Sequence, residues 1–216
     1  MFCAVGANDT LRRATQHERR TATRAALMAS AVELIVKSGP SVSVGQIAAS
    51  AGMSKGAFQH HFASKADLLT AVVADGWNDA VERLAVPPEL TGTVEERVRE
   101  LVDVSWESYQ QPACLAAFVV STDPNLGNDL RAELTAGFHD MRSQLDECWD
   151  AWFADLDLDP AGVRNARRFV RSHVLGMLTQ RRLPHGEPPA DEELDWLCVA
   201  ASALLVPSHA PPGRAS

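Results

Sequence analysis

Ser43-Val44-Gly45-Gln46-Ile47-Ala48-Ala49-Ser50-Ala51-Gly52-Met53-Ser54-Lys55-Gly56-Ala57-Phe58-Gln59-His60-His61-Phe62 is the stretch on which the fold turns. Ser43 and Gln46 have the spacing of a capping box, in which serine accepts from the Gln46 amide and the glutamine reaches back. The helix they open carries Ile47, Ala48 and Ala51 and stops at Gly52. Ser54 caps a second short helix, from Lys55 to about His61. Two short helices joined by Ala51-Gly52-Met53-Ser54 make a helix-turn-helix pattern, with glycine supplying the sharp reversal.

The flanks read as helix too. Upstream, Leu27, Ala31, Leu34 and Ile35 share one face of a helix that begins near Thr23 and is stopped by Gly39-Pro40. Residues 1–20 are polar and Arg-rich without apolar periodicity, which predicts a flexible basic arm. Downstream, Ser64 caps a helix from Lys65 to about Ala85 with Leu68, Leu69, Val72, Val73 and Trp77 as its stripe. Thr93 and Glu96 form another capping box, opening a helix to about Tyr109. Short apolar 113–122, long 126–156, then 160–183 and 191–206 follow, and a Pro/Ala/Ser tail over 207–216 reads as disordered. No run alternates apolar and polar residues, so the fold class is all-α with about nine helices. The expected organisation is an arm over 1–20, a head over 21–67, a body over 68–206 and the tail.

Charge separates head from body. The 216 residues carry a net charge of −8, which argues against nucleic acid as a partner when taken whole. Residues 1–65, however, hold eight Lys and Arg against three acids, while the remainder holds twelve against twenty-five. A basic end on an acidic chain points to an anionic partner for that end, nucleic acid or membrane surface. No stretch approaches the ~20 apolar residues of a membrane span. The first residues lack the basic and apolar regions of a signal peptide. Cys3, Cys114, Cys148 and Cys198 lie far apart, which disfavours a disulfide framework or zinc site and suits a cytoplasmic protein.

Residues 24–69 resemble the TetR-type family of bacterial transcriptional regulators. The resemblance rests on Ser43 to Phe62 as quoted, followed by Ser64-Lys65 and Leu68-Leu69. It implies a three-helix DNA-binding head and an all-helical body that binds a small ligand and dimerises. On this basis Ser43, Ser54, Lys55, Gly56, Gln59, His60, His61 and Lys65 are the candidate DNA-binding residues. Gly56 lets the backbone approach a duplex closely, and Gln59, His60 and His61 project from the recognition helix. Gln59 stands where the family usually has Tyr, and Gly45 where many members carry a polar or basic residue. Both departures shift weight onto the arm, Arg12 to Arg24. A metal shared by His60 and His61 is disfavoured, because adjacent helical side chains point about 100° apart.

In the body, Trp106, Tyr109, Phe118, Phe138, His139, Trp149, Phe169, His173 and Met177 are the candidate lining of a ligand pocket between helices. Each of them singly also fits a core position. The last two helices carry more apolar surface than one core needs, and Val170, Val174, Leu197, Ala201, Leu204 and Leu205 are the candidate homodimer interface. No catalytic residue is expected: there is no G-x-S-x-G, no Gly-rich phosphate loop, no H-E-x-x-H and no paired Cys/His ligand set. No cofactor or metal is expected beyond an unidentified small-molecule effector. The expected function is a ligand-responsive repressor that binds a palindromic double-stranded DNA operator as a dimer. A helical protein-binding adaptor without operator binding is the alternative.

Overall fold

The computed structural model describes residues 5–85, 91–182 and 191–205. Among them lie nine helices and no strand: α1 (Val5–Ser38), α2 (Val44–Ser50), α3 (Lys55–Gln59), α4 (Lys65–Leu84), α5 (Val94–Gln110), α6 (Pro112–Ser121), α7 (Asn128–Trp152), α8 (Pro160–Arg182) and α9 (Asp191–Leu205). The all-α expectation is met. The tail over 207–216 lies outside the described residues. The arm differs from its expected form, because α1 is helical from Val5 rather than from Thr23. The early part has no apolar stripe, but neither proline nor glycine cap interrupts the turn from Thr10 to Thr23.

Contacts gather the chain into two compact units. The first runs to Gly76 and takes in Leu115–Thr135; the second joins Trp77–Cys114 to the chain from Ala136 onward. The boundary therefore falls inside α4, nine residues beyond the expected end of the head at residue 67. The apolar stripe of α4 continues unbroken through that point, so local sequence offers no mark there.

In the first unit, α1 turns Leu27, Ala31 and Ile35 inward, all with no exposed surface, and α2 contributes Ile47 and Ala48. Phe58 of α3 and Phe62 complete this core, their ring centroids 5.6 Å apart. Full burial of a side chain such as Phe58 contributes about 1.5–3 kcal/mol, so these few residues set how α1, α2 and α3 pack. Gly39 and Gly52 sit at φ +80° and +67°, the left-handed conformation that ends α1 and turns the chain from α2 to α3.

In the second unit, α8 and α9 pack on each other and on α5. Val98, Leu101 and Val102 of α5, Val163, Ala166, Val170 and Val174 of α8, and Leu197, Ala201 and Leu205 of α9 are buried together. The end of α7 is pinned by two polar contacts. The Trp152 indole Nε1 donates to the Leu84 carbonyl at 2.9 Å in a buried setting. Arg97, buried near the start of α5, donates from Nη1 to the Trp152 carbonyl at 3.1 Å and holds Asp155 through both guanidinium nitrogens, Nη2–Oδ2 being 2.8 Å. That guanidinium holds the Asp155 carboxyl below its ordinary range.

Candidate functional site

The geometry of α2 and α3 follows from their serines. Ser43 Oγ accepts from the Gln46 amide at 3.2 Å while Gln46 Oε1 accepts from the Ser43 amide at 2.9 Å, closing the expected box. Ser54 Oγ accepts from the Ala57 amide at 3.1 Å. Helix α3 is shorter than expected: it ends at Gln59, and His60 and His61 continue as a tight turn through the His60 N to Ala57 O and His61 N to Phe58 O bonds. Ser64 and Asp67 cap α4 reciprocally at 3.0 and 3.1 Å.

With Phe58 and Phe62 turned inward, the opposite side of this segment faces solvent. Ser43, Ser54, Lys55, Gly56, Gln59 and His60 are all exposed, and His61 and Lys65 are half-buried. A Cβ at Gly56 would meet only Ser54 Oγ at 3.8 Å, and one at Gly45 only Ser43 Oγ at 3.8 Å. Neither position has a left-handed φ. The head itself therefore requires glycine at neither place, and the smooth surface they leave is available to something outside the protein.

Burial, then Arg20, His60 and Arg24, lower the His61 pKa, so this ring favours its neutral form in a basic setting. Burial lowers the Lys65 pKa, and Asp123 works against that. Asp123 thus places a negative charge in the field of Lys65, while Lys55 is exposed.

One structural residue was missed from sequence. Arg24, read as part of the basic arm, donates from Nη1 to the His61 carbonyl at 3.1 Å and lies over the Phe62 ring at 4.2 Å from its centroid. It fastens α1 to the turn that follows α3. Its partners stand 37 and 38 residues away in the chain, beyond the reach of any local pattern.

The ligand and dimer expectations need sharper correction. Tyr109 and Trp149 do line a small, partly open cavity of ≈ 20 Å³, together with Leu84, Ser105, Leu145, Asp146, Arg167, Val170, Arg171 and Val174. The other candidates do not meet there. Met177 is packed in the core, Trp106 is half-buried, and His139 is exposed. Phe138 packs edge-on against Trp77 at 6.1 Å, and Phe118, half-buried, belongs to the first unit. Phe169 and His173 stack at 6.0 Å and line an open groove of ≈ 370 Å³ with Glu193 and Trp196. Steps of four drift by about 40° around a helix. The stripe through Phe169, His173 and Met177 therefore begins on the outer face and ends in the core.

Of the six dimer candidates, Val170, Val174, Leu197, Ala201 and Leu205 are buried within the protomer and cannot face a partner. Only Leu204 is exposed, at 36%. With Leu204, the apolar side chains that α8 and α9 present to solvent are Phe169, Trp196 and Val199, the last two about 70% exposed. Trp196 and Val199 were readable as an i, i+3 pair on α9, but the denser Leu197-Ala201-Leu205 stripe masks them.

A capped helix, a glycine turn and a second capped helix, standing exposed on a small apolar core in a basic segment, define a helix-turn-helix head within an otherwise all-helical chain. Residues 27–72, the segment that holds this head, match the family model for bacterial regulatory proteins of the tetR family. The fold of the chain agrees. A TetR family transcription regulator from Marinobacter aquaeolei superposes with a TM-score of 0.59 at 17% identity, covering 88% of this chain and 98% of that one. NalD of Pseudomonas aeruginosa, the secondary repressor of the MexAB-OprM multidrug efflux pump, gives 0.60 at 22% identity over 89% and 100%. The transcriptional regulator FadR of Bacillus subtilis, solved in complex with stearoyl-CoA, gives 0.60 at 18% over 85% and 98%. No curated protein matches the chain by sequence. No described helix is long and apolar enough to cross a membrane.

Proposed function

We propose that the protein is a ligand-responsive repressor that binds a palindromic operator as a homodimer and leaves it when a small molecule occupies the helical body. The observation that carries this reading is the exposed α2–α3 face: Ser54, Lys55, Gly56, Gln59 and His60 project from the head while its apolar side is fully used. Two such heads in a symmetric pair would address successive major grooves, which is why the operator is a palindrome. Phe169, Trp196, Val199 and Leu204 are the apolar surface from which the pair forms, in place of the buried residues first expected. That FadR of the same fold was solved with stearoyl-CoA, and that NalD is a repressor, supports effector binding and repression as the mode. An effector acts only through its difference in affinity for the operator-competent and operator-incompetent states.

The test is a gel shift of the purified protein on the DNA flanking its own gene, run across a salt series, with sedimentation to fix the oligomer. A sequence-specific complex that weakens steeply with salt and contains two protomers supports the reading. A dimer that binds no DNA turns the assignment to the protein-binding adaptor.

A further inference from the structure

We propose that the small cavity of the second unit is an anion-selective effector site, taking a small amphipathic carboxylate whose apolar part enters among Leu145, Trp149 and Val174 and whose carboxylate is held by Arg171 and Tyr109. The inference rests on the regulator reading above and supplies its missing ligand class. Arg167, only 8% exposed, and Arg171, half-buried, both line the cavity, and Arg142 stands beside Arg171. Against these three guanidiniums stand Asp146 and the well-exposed Asp150.

Asp146 is largely committed to Arg167, at 2.9 Å from Nε, and Arg167 also reaches Asp150 at 3.3 Å and the Asp146 carbonyl at 3.1 Å. Among the described residues the one carboxylate that Arg171 approaches is the same Asp146 oxygen, at 3.9 Å. Its cation is therefore undercompensated, and burial together with Arg142 lowers its pKa. The Arg167–Asp146 contact is itself out of line. Arg167 Nε and Asp146 Oδ1 are both fully buried, yet among the described residues neither completes a hydrogen bond. Buried polar groups left in this state cost free energy that a suitable partner recovers.

The third polar group at the cavity is the Tyr109 phenol. Burial pushes its pKa up to about 12, so it stays a neutral donor, with Arg171 near enough to oppose that rise. A guanidinium and a phenol donor at one end, with aliphatic and indole walls at the other, match a carboxylate on an apolar body. The cavity, ≈ 20 Å³ and partly open to solvent, has room for about one water. A ligand of this class must therefore spread the lining side chains as it enters.

The experiment is isothermal titration of the full-length protein with phenylacetate and hexanoate, each beside its uncharged amide, phenylacetamide and hexanamide. The carboxylates should bind at least tenfold more tightly than the amides. Arg171→Gln should abolish that preference while leaving amide binding within about twofold, and Tyr109→Phe should reduce it less. Circular dichroism of both variants establishes that they fold. Absence of binding by every probe, equal binding of acid and amide, or an unchanged preference in Arg171→Gln overturns the proposal and leaves a hydrated structural cavity. A gel shift of ligand-free protein runs in parallel: its failure overturns the regulator reading, whatever the calorimeter shows.

Discussion

Gly56→Ala separates folding from DNA binding with a single methyl group. In the free protein the new Cβ meets nothing closer than Ser54 Oγ at 3.8 Å, an ordinary contact, and the backbone there is not left-handed. Helix propensity favours alanine by up to about 1 kcal/mol, less so near a helix end, so the melting temperature should hold or rise by a few degrees. Against a duplex the balance reverses. The methyl group stands between the α3 backbone and the nucleic acid, and losing one or two backbone-to-phosphate hydrogen bonds costs about 1–3 kcal/mol. That corresponds to an affinity lower by about five- to a hundredfold. Fluorescence anisotropy on an operator selected from a random duplex library reads the affinity, and calorimetry reads the stability. Unchanged operator affinity in a folded variant would refute the close approach of this helix to DNA. A clear fall in melting temperature would refute the claim that the head leaves the position free.

Three further outcomes follow from contacts in the two units. Arg24→Met removes an exposed charge-assisted hydrogen bond to the His61 carbonyl and a cation–π contact over Phe62, so stability should fall by about 1–2 kcal/mol in urea unfolding. No change would mean that solvent replaces both. Because the folded state lowers the His61 pKa, the unfolded chain binds the extra proton first. Stability should therefore be flat above the ordinary histidine pKa of about 6.5 and decline as the pH drops below it, with His61→Gln flattening that decline in a pH series of melting curves. Gly162→Ala drives a Cβ to 2.8 Å from the Leu204 carbonyl oxygen, where the start of α8 passes the end of α9. The cost of about 1–3 kcal/mol should outweigh the helix-propensity gain and lower the melting temperature, and a rise would show that α8 and α9 give way easily.

What could be read without coordinates was what is written locally. The boxes Ser43/Gln46 and Thr93/Glu96 span three residues each, and both form as spaced. Gly52 marks its turn because only a left-handed residue makes that reversal. The exposed face of α2 and α3 follows once Ile47 and Phe58 are assigned inward. The body resisted the same treatment because its helices have neighbours on more than one side. Periodicity shows that Leu197, Ala201 and Leu205 share a face, but not whether α5 or a second protomer covers it. The cavity was partly legible, through Tyr109 and Trp149. Arg167 and Arg171 went unnoticed because basic residues on a helix usually mark a solvated face, and their distinction lies in burial beside a carboxylate 21 or 25 positions back in the chain.

The exposure of Trp196 has an optical consequence. It is one of five tryptophans, and the only one in 69% contact with solvent, whereas Trp77, Trp149 and Trp152 are buried. In a lone protomer its indole should emit at the red edge of the spectrum and be open to quenching by iodide. If a second copy covers α9, that red component disappears on raising the protein concentration, while the buried indoles keep their emission. Trp149 lies on the cavity wall, and its emission should answer instead to a small molecule that enters there. Proposed assembly and proposed effector occupancy would thus carry separate, label-free colours in one chain.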